Sequence, residues 1–187
     1  MVSGLHFTSG MHKSRTLQTF DYVNQPYGAV HAALVANPLE IFHAATSSGA
    51  ADAALAELRV SIGAVEIAAE IEIDVTSTQH ARSPLGKPGF SFTLAWSSPR
   101  RPHWFPTMKA VLTIYPLSPT ETQLDLDGVY DPPLGVFGAA VDAVVLHRFA
   151  EAAVAGFVRE LATYLRTEVS RQRAEGAEQA PAARPSP

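Results

Sequence analysis

The stretch LDLDGVYDPPLGVFG at residues 124–138, followed by VDAVVLHRFAEAAVAGFVREL at residues 141–161, decides the fold. Its first part alternates apolar with polar side chains, which is typical of a strand with one face exposed to solvent. Pro132 and Pro133 lack the backbone N–H groups that a strand ladder requires, so they end this strand. Apolar residues then recur every three or four positions as far as Leu165, which predicts one long amphipathic helix from about residue 134.

The segments upstream of this junction predict an antiparallel sheet interrupted once by helices. Alternating patterns predict strands at residues 17–24, 58–63, 70–76, 90–97 and 108–117. After the first of these, Pro26 opens a helix that ends at Asn37-Pro38, and a weaker helical stretch follows. We therefore predict an α+β fold in which a curved antiparallel sheet of about six to seven strands and two short helices accompany one long C-terminal helix across the concave face.

This order of elements, together with the junction at residues 124–138 and the helix after it, resembles the START-like or SRPBCC superfamily. The polyketide cyclase/dehydrase and lipid-transport branch is the most similar. The resemblance covers about residues 17–168 and implies a helix-grip fold with a hydrophobic cavity. Lipid carriers, hormone receptors, cyclases and ring-hydroxylase subunits belong to the superfamily, which has no shared catalytic motif, so no catalytic residue can be assigned from the resemblance.

Composition limits the size of the fold and the classes of partner. The 187 residues suffice for one substantial core, predicted at 17–168, with a flexible tail at 1–16 and a disordered tail at 169–187. A formal net charge of -4 argues against a nucleic-acid partner. The absence of cysteine suits a reducing, cytoplasmic location. The sequence contains no apolar run that would predict stable insertion into a membrane. The oligomeric state stays open.

Alternation assigns one face of each predicted strand to the interior. The predicted cavity lining is Ile71, Ile73, Phe90, Phe92, Leu94, Trp96, Leu124, Leu126 and Tyr130 on the strands, with Phe137 and Ala140 beyond the last strand. The opposite face carries Glu70, Glu72, Asp74, Asp125 and Asp127. We interpret these carboxylates as a solvated outer surface rather than a metal site.

The loop at residues 98–106 is the predicted mouth of the cavity, because a meander places it at the same end as the turn at Pro132. Its candidate residues are Arg100, Arg101, His103, Trp104 and Phe105. We hypothesise that the two aromatic side chains gate the cavity and that an arginine meets a polar or anionic head group. The alternative is that the aromatic residues cap the core edge and the arginines are solvated.

The histidines and the missing motifs limit the possible chemistry. The seven histidines form no HxxxH or HExxH pair, so no metal is predicted. His31 and His43 lie on the predicted short helices and are possible polar contacts to a ligand, although such a histidine is more often a hydrogen-bonded core or rim residue. The chain has no cysteine, GxSxG elbow or nucleotide-binding glycine motif, and no cofactor is predicted.

Three functions remain open. The favoured function is binding or transport of a hydrophobic small molecule such as a lipid, fatty acid, isoprenoid or polyketide-like metabolite. The resemblance also implies a cyclase, aromatase or dehydratase, with Tyr130, His31, Asp142 or an arginine as acid-base candidates. Two or more buried polar groups converging in the pocket would mark such an enzyme. The third is an interaction module whose large side chains fill the concave face.

Overall fold

The computed structural model describes residues 14–46, 72–84, 86–97, 107–131 and 143–179. The helices are α1 (Tyr27–Ala36), α2 (residues 38–46 as far as described) and α3 (Ala143–Gln179). The strands are β1 (Arg15–Val23), β2 (Glu72–Arg82), β3 (Pro88–Ser97), β4 (Thr107–Ser118) and β5 (Glu121–Asp131). The strands form one antiparallel sheet in the order β1-β5-β4-β3-β2.

The sheet register divides the strands into an inner and an outer face. One inner row runs from Arg15 through Tyr130 and Met108 to Trp96 and Ile73. At the other end of the sheet a parallel row contains Leu124, Ile114, Phe90 and His80. Helix α3 packs mainly on β1, and α1 contacts α3 and the central strands β4 and β5. The core therefore lies between the inner face and the helices.

The described elements confirm the predicted fold class. The helix predicted after Pro26 is α1, whose first turn bonds to the Pro26 carbonyl oxygen. The strands predicted around 17–24, 90–97 and 108–117 are β1, β3 and β4. Five strands are described where six to seven were predicted, and the strand predicted at 58–63 lies outside the described residues, as does the predicted start of the long helix.

Helix α3 continues beyond residue 168 as far as Gln179, inside the predicted C-terminal tail. Val169 is 1% exposed and belongs to the core. Arg171 forms ion pairs of 2.6 Å with both Glu168 and Glu175, at the i,i+3 and i,i+4 spacings that support an exposed helix. Similarly, β1 begins at Arg15, inside the predicted N-terminal tail.

Candidate ligand-binding site

The inner face of the sheet is apolar along most of its length. Among the predicted lining residues, Ile73, Phe92, Leu94, Leu124, Leu126 and Tyr130 are buried, and Phe90 and Trp96 are partly buried against the core. Helix α3 faces them with a buried stripe of Val154, Phe157, Val158, Leu161 and Leu165. Ile71, Phe137 and Ala140 lie outside the described residues. In the described strands the residues predicted to point inward do lie on the inner face, whereas their lining of a cavity stays a prediction.

Aromatic side chains connect α3 to strand β3, which lies away from the edge strand on which α3 packs. Trp96 meets Phe157 edge-on, with ring centroids 5.1 Å apart. Phe42 on α2 lies 5.8 Å from the Phe92 ring and 6.3 Å from the Phe157 ring. Because α3 packs on the edge strand β1, its backbone is further from β3, and these rings fill the gap between α3 and β3. Large side chains therefore occupy part of the space in which a ligand was expected.

The smallest inner-face residues lie at the centre of the sheet, beside the Tyr130 row. Gly128 of β5 pairs with Ala110 of β4, and both face inward between Leu17 and Leu94. A Cβ atom at Gly128 would lie 3.1 Å from Met108 Sδ, so the methionine side chain fills the space above the glycine. Methionine is flexible and polarisable, so this part of the inner face is the most adaptable in volume.

A polar cluster of Tyr130, His147 and Glu151 lies at one end of the inner face. The hydroxyl of Tyr130 lies 3.0 Å from His147 Nδ1, and His147 Nε2 lies 3.4 Å from a carboxylate oxygen of Glu151, one helical turn later. Burial raises the pKa of the Tyr130 phenol above its ordinary value, while the neighbouring Arg15 guanidinium acts in the opposite direction. Tyr130 therefore keeps its proton at neutral pH and can serve as a hydrogen-bond donor.

The geometry of this cluster fits a chain of proton donors and acceptors. If Tyr130 donates to Nδ1 of His147, the imidazole carries its own proton on Nε2, which faces Glu151. The carboxylate then holds the ring in that tautomer, as in other acid-base sites. Such a chain can pass a proton between the buried phenol and the half-exposed imidazole.

Sequence reasoning found Tyr130 but missed its partners. The signal for His147 and Glu151 was their i,i+4 spacing on the helix that follows the strand of Tyr130. Arg15 could not be found without the register, because it lies opposite Tyr130 on a strand far away in sequence.

At the opposite end of the inner face, α1 places His31 over the sheet. Its ring meets the Phe90 ring edge-on at 4.7 Å and lies 5.7 Å from the Tyr27 ring, tilted by 29°. His43 has an exposed side chain on α2 and is not among the buried inner-face residues. The predicted mouth residues Arg100, Arg101, His103, Trp104 and Phe105 lie outside the described residues. The gate hypothesis therefore stays a prediction.

In the described residues a long C-terminal helix packs on the inner face of an antiparallel sheet, and two short helices follow the first strand. The chain has a helix-grip fold. No protein-family model and no curated protein matches the sequence. No helix in the described parts of this chain has both the length and the apolar character needed to cross a membrane.

Several solved structures are similar to this helix-grip chain. An aromatase/cyclase from a Streptomyces species is 14% identical, with 86% of this chain and 96% of that chain covered and a TM-score of 0.42. A START superfamily protein from Mycobacterium smegmatis is 13% identical, with coverage of 84% and 98% and a TM-score of 0.38. Norcoclaurine synthase from Thalictrum flavum, solved with dopamine and hydroxybenzaldehyde, is 7% identical, with coverage of 91% and 95% and a TM-score of 0.42.

The outer face of the helix-grip sheet is less polar than predicted. Asp74 and Asp127 are exposed, but Asp125 is only 8% exposed, so the prediction that it is solvated is wrong. Its neighbours in the register are Phe20 of β1 and Thr113 of β4, and burial, followed by repulsion from Asp127, raises the pKa of its carboxyl. An open groove of about 580 Å³ crosses this face between Thr16 and Thr93. Within the described ranges, no group of three or more acidic or histidine side chains could hold a metal ion.

Proposed function

We propose that the protein binds a hydrophobic small molecule between the inner face of the sheet and α3. The observation that carries this proposal is the pairing of two apolar surfaces with one polar cluster at the Tyr130 end. A lipid, fatty acid, isoprenoid or polyketide-like molecule has the matching chemistry, because its apolar body avoids water and its oxygen atoms seek hydrogen bonds. The Tyr130 hydroxyl, which keeps its proton because burial raises its pKa, could donate a hydrogen bond to one of those oxygen atoms.

The packing of the inner face indicates where such a molecule would lie. Gly128 and Ala110 are the smallest side chains of the central rows, and the flexible Met108 lies over them. A ligand that displaces Met108 would contact this shallow centre and would reach Tyr130, which pairs with Met108 in the register. The Trp96 ring, in the same row, would then lie beside the ligand.

The experiment is a titration with 11-(dansylamino)undecanoic acid, monitored by energy transfer from tryptophan to dansyl. The background variant is Trp104→Phe, because Trp96 and Trp104 are the two tryptophans of the chain. We expect saturable transfer from Trp96. In the same background, Ala110→Leu should weaken binding at least tenfold by filling the inner face, whereas Val111→Leu, on the outer face of the same strand, should leave binding unchanged.

Native mass spectrometry of the purified wild-type chain gives a measurement independent of variants. Recovery of a bound apolar molecule would support the proposal even if Ala110→Leu fails to fold. Absence of both a copurified ligand and saturable transfer would contradict it and would favour the interaction module, in which aromatic side chains such as Phe42, Phe92 and Phe157 fill the inner face.

A second candidate function is acid-base catalysis, which the contact between Tyr130 and His147 favours. Two polar groups converge at the inner face, as expected for a cyclase or dehydratase. In such a reaction the Tyr130 hydroxyl would turn from His147 to a substrate carbonyl oxygen and donate a hydrogen bond to it as negative charge develops there. His147 Nδ1, freed of that hydrogen bond, would take the proton from the carbon next to the carbonyl group.

Hydrogen-deuterium exchange at the CH2 group beside the carbonyl of 2-tetralone, followed by NMR in D2O, tests this candidate. Catalysed exchange should exceed the buffer rate and should fall at least tenfold in both Tyr130→Phe and His147→Gln. A wild-type rate equal to that of buffer would exclude proton abstraction from this ketone and would leave ligand binding as the function.

A further inference from the structure

The Nε2 atom of His31 is a buried polar atom for which the described residues provide no hydrogen-bond partner. Other polar side chains at the edge of the core do have partners. Thr122 donates to the Gln25 carbonyl oxygen, and Thr46 donates to the carbonyl oxygen of Phe42. A buried polar atom loses its hydrogen bonds to water, and nearly all such atoms in folded proteins recover them. His31 is therefore an exception that requires a physical reason.

The surroundings of His31 are aromatic. We define the His31 cluster as Tyr27, His31 and Phe90. Phe90 is also in edge contact with His80 at 5.6 Å and with Phe92 at 5.3 Å. Burial raises the pKa of the Tyr27 phenol, so its hydroxyl stays protonated at neutral pH. The rings of Tyr27 and Phe90 thus flank His31, whose Nε2 atom has no hydrogen-bond partner among the described residues. An aromatic ring carrying a single polar substituent fits such surroundings.

The His31 cluster is well separated from the polar cluster at Tyr130. Phe90 lies in the inner row beside His31, and Trp96 lies in the row of Tyr130, six residues further along β3. At about 3.3 Å per residue this separation is about 20 Å. A small bicyclic molecule cannot reach both ends, so binding at His31 can be measured apart from any role of Tyr130.

We propose that His31 Nε2 is a hydrogen-bonding point for the polar substituent of an aromatic ligand. This inference rests on the proposed function and specifies one chemical class of ligand for it. The imidazole ring selects the substituent by its tautomer. With the proton on Nδ1, Nε2 accepts a hydrogen bond from a hydroxyl group; with the proton on Nε2, it donates to a carbonyl or ether oxygen.

The test compares the affinities of naphthalene, 2-naphthol and 2-methoxynaphthalene, each measured directly by NMR titration of the protein. The variants are His31→Phe, which keeps an aromatic ring and removes both nitrogens, and the control His43→Phe on the exposed side of α2. The wild type and His43→Phe should bind either the hydroxyl or the methoxy compound about tenfold more tightly than naphthalene. That advantage should disappear in His31→Phe, while naphthalene binds at least as well as to the wild type.

A second measurement on the wild-type chain avoids the risk that His31→Phe folds poorly. Binding of the preferred compound should shift the 15N resonance of His31 Nε2 and leave the resonances of His43 unchanged. If naphthalene binds but substituted compounds gain nothing, or gain equally in His31→Phe, the assignment of His31 is wrong and the proposed function stands. If neither the dansyl probe nor any naphthalene compound binds, the proposed function fails and the assignment fails with it.

Discussion

The hydroxyl of Tyr130 on β5 lies 3.0 Å from Nδ1 of His147 on α3. The two rings are nearly parallel, with an interplanar angle of 10° and centroids 6.1 Å apart. This contact joins the end of the last strand to the first described turns of the long helix. The same two residues therefore have a structural role, whatever ligand the inner face binds.

Tyr130→Phe should lower the free energy of unfolding by about 1 kcal/mol, because the buried hydrogen bond to His147 is lost. The measurement is urea unfolding followed by circular dichroism. Tyr22→Phe is the control, since Tyr22 is 39% exposed and lies on the outer face. In a double-mutant cycle with His147→Gln, the coupling energy should be about 0.5–1.5 kcal/mol. Strictly additive effects would show that the contact contributes nothing to stability.

Two phenylalanines provide a matched test of the aromatic packing. Phe42 is fully buried between Phe92 and Phe157, whereas Phe20 on the outer face is 56% exposed. Phe42→Ala should destabilise the fold by about 3–5 kcal/mol. Phe20→Ala should change stability by no more than about 0.5 kcal/mol, as is usual for a surface substitution. Similar urea midpoints for the two variants would contradict the packing described for α2.

Asp125→Asn should stabilise the protein at pH 7. Burial, and then repulsion from Asp127, raise the folded-state pKa of the Asp125 carboxyl above its unfolded value. Because the folded protein holds this proton more tightly, the contribution of Asp125 to stability is present below the unfolded pKa of about 3.9 and is lost as pH rises through the folded pKa. The asparagine cannot ionise, so its advantage over the wild type should vanish in acid.

Thermal unfolding of Asp125→Asn and the wild type between pH 3 and pH 7 measures this dependence. Asp74→Asn, at an exposed position of β2, is the control and should follow the wild type throughout. A constant difference between Asp125→Asn and the wild type across the whole range would show that ionisation of Asp125 is not the cause.

Local patterns sufficed to predict the faces of the described strands. Phe92, Leu94, Leu124 and Leu126 are fully buried because alternation along an antiparallel strand places every second side chain inside. Asp125 is an exception, because it is a charged residue on the outer face and yet is buried. Its cross-strand neighbours, Phe20 and Thr113, are revealed only by the pairing of β5 with β1 and β4.

Contacts between distant segments explain most of what the sequence did not predict about the candidate site. Arg15 meets Tyr130 through strand pairing, and Gln25 receives a hydrogen bond from Arg173 of α3. The position of His31 Nε2, for which no described residue provides a hydrogen bond, likewise depends on how α1 lies over Phe90. Helical periodicity predicted that α3 would be long. The prediction ended the helix near residue 168, where the regular apolar spacing stops, and so missed the turns in which Arg171 pairs with Glu168 and Glu175.

Val169→Ala tests whether the final turns of α3 belong to the cooperative fold. Val169 is 1% exposed, and the hydrogen bond of 2.8 Å from Gln25 to Ser170 holds the next residue against the loop after β1. Removing two buried methyl groups at about 0.8 kcal/mol each should cost about 1.5 kcal/mol. The control Thr167→Ala, two residues earlier, should cost much less, since the Thr167 side chain is exposed and its hydroxyl donates to the Thr163 carbonyl oxygen of the same helix. Equal urea midpoints for Val169→Ala and the wild type would mean that the packed domain ends near residue 168 after all.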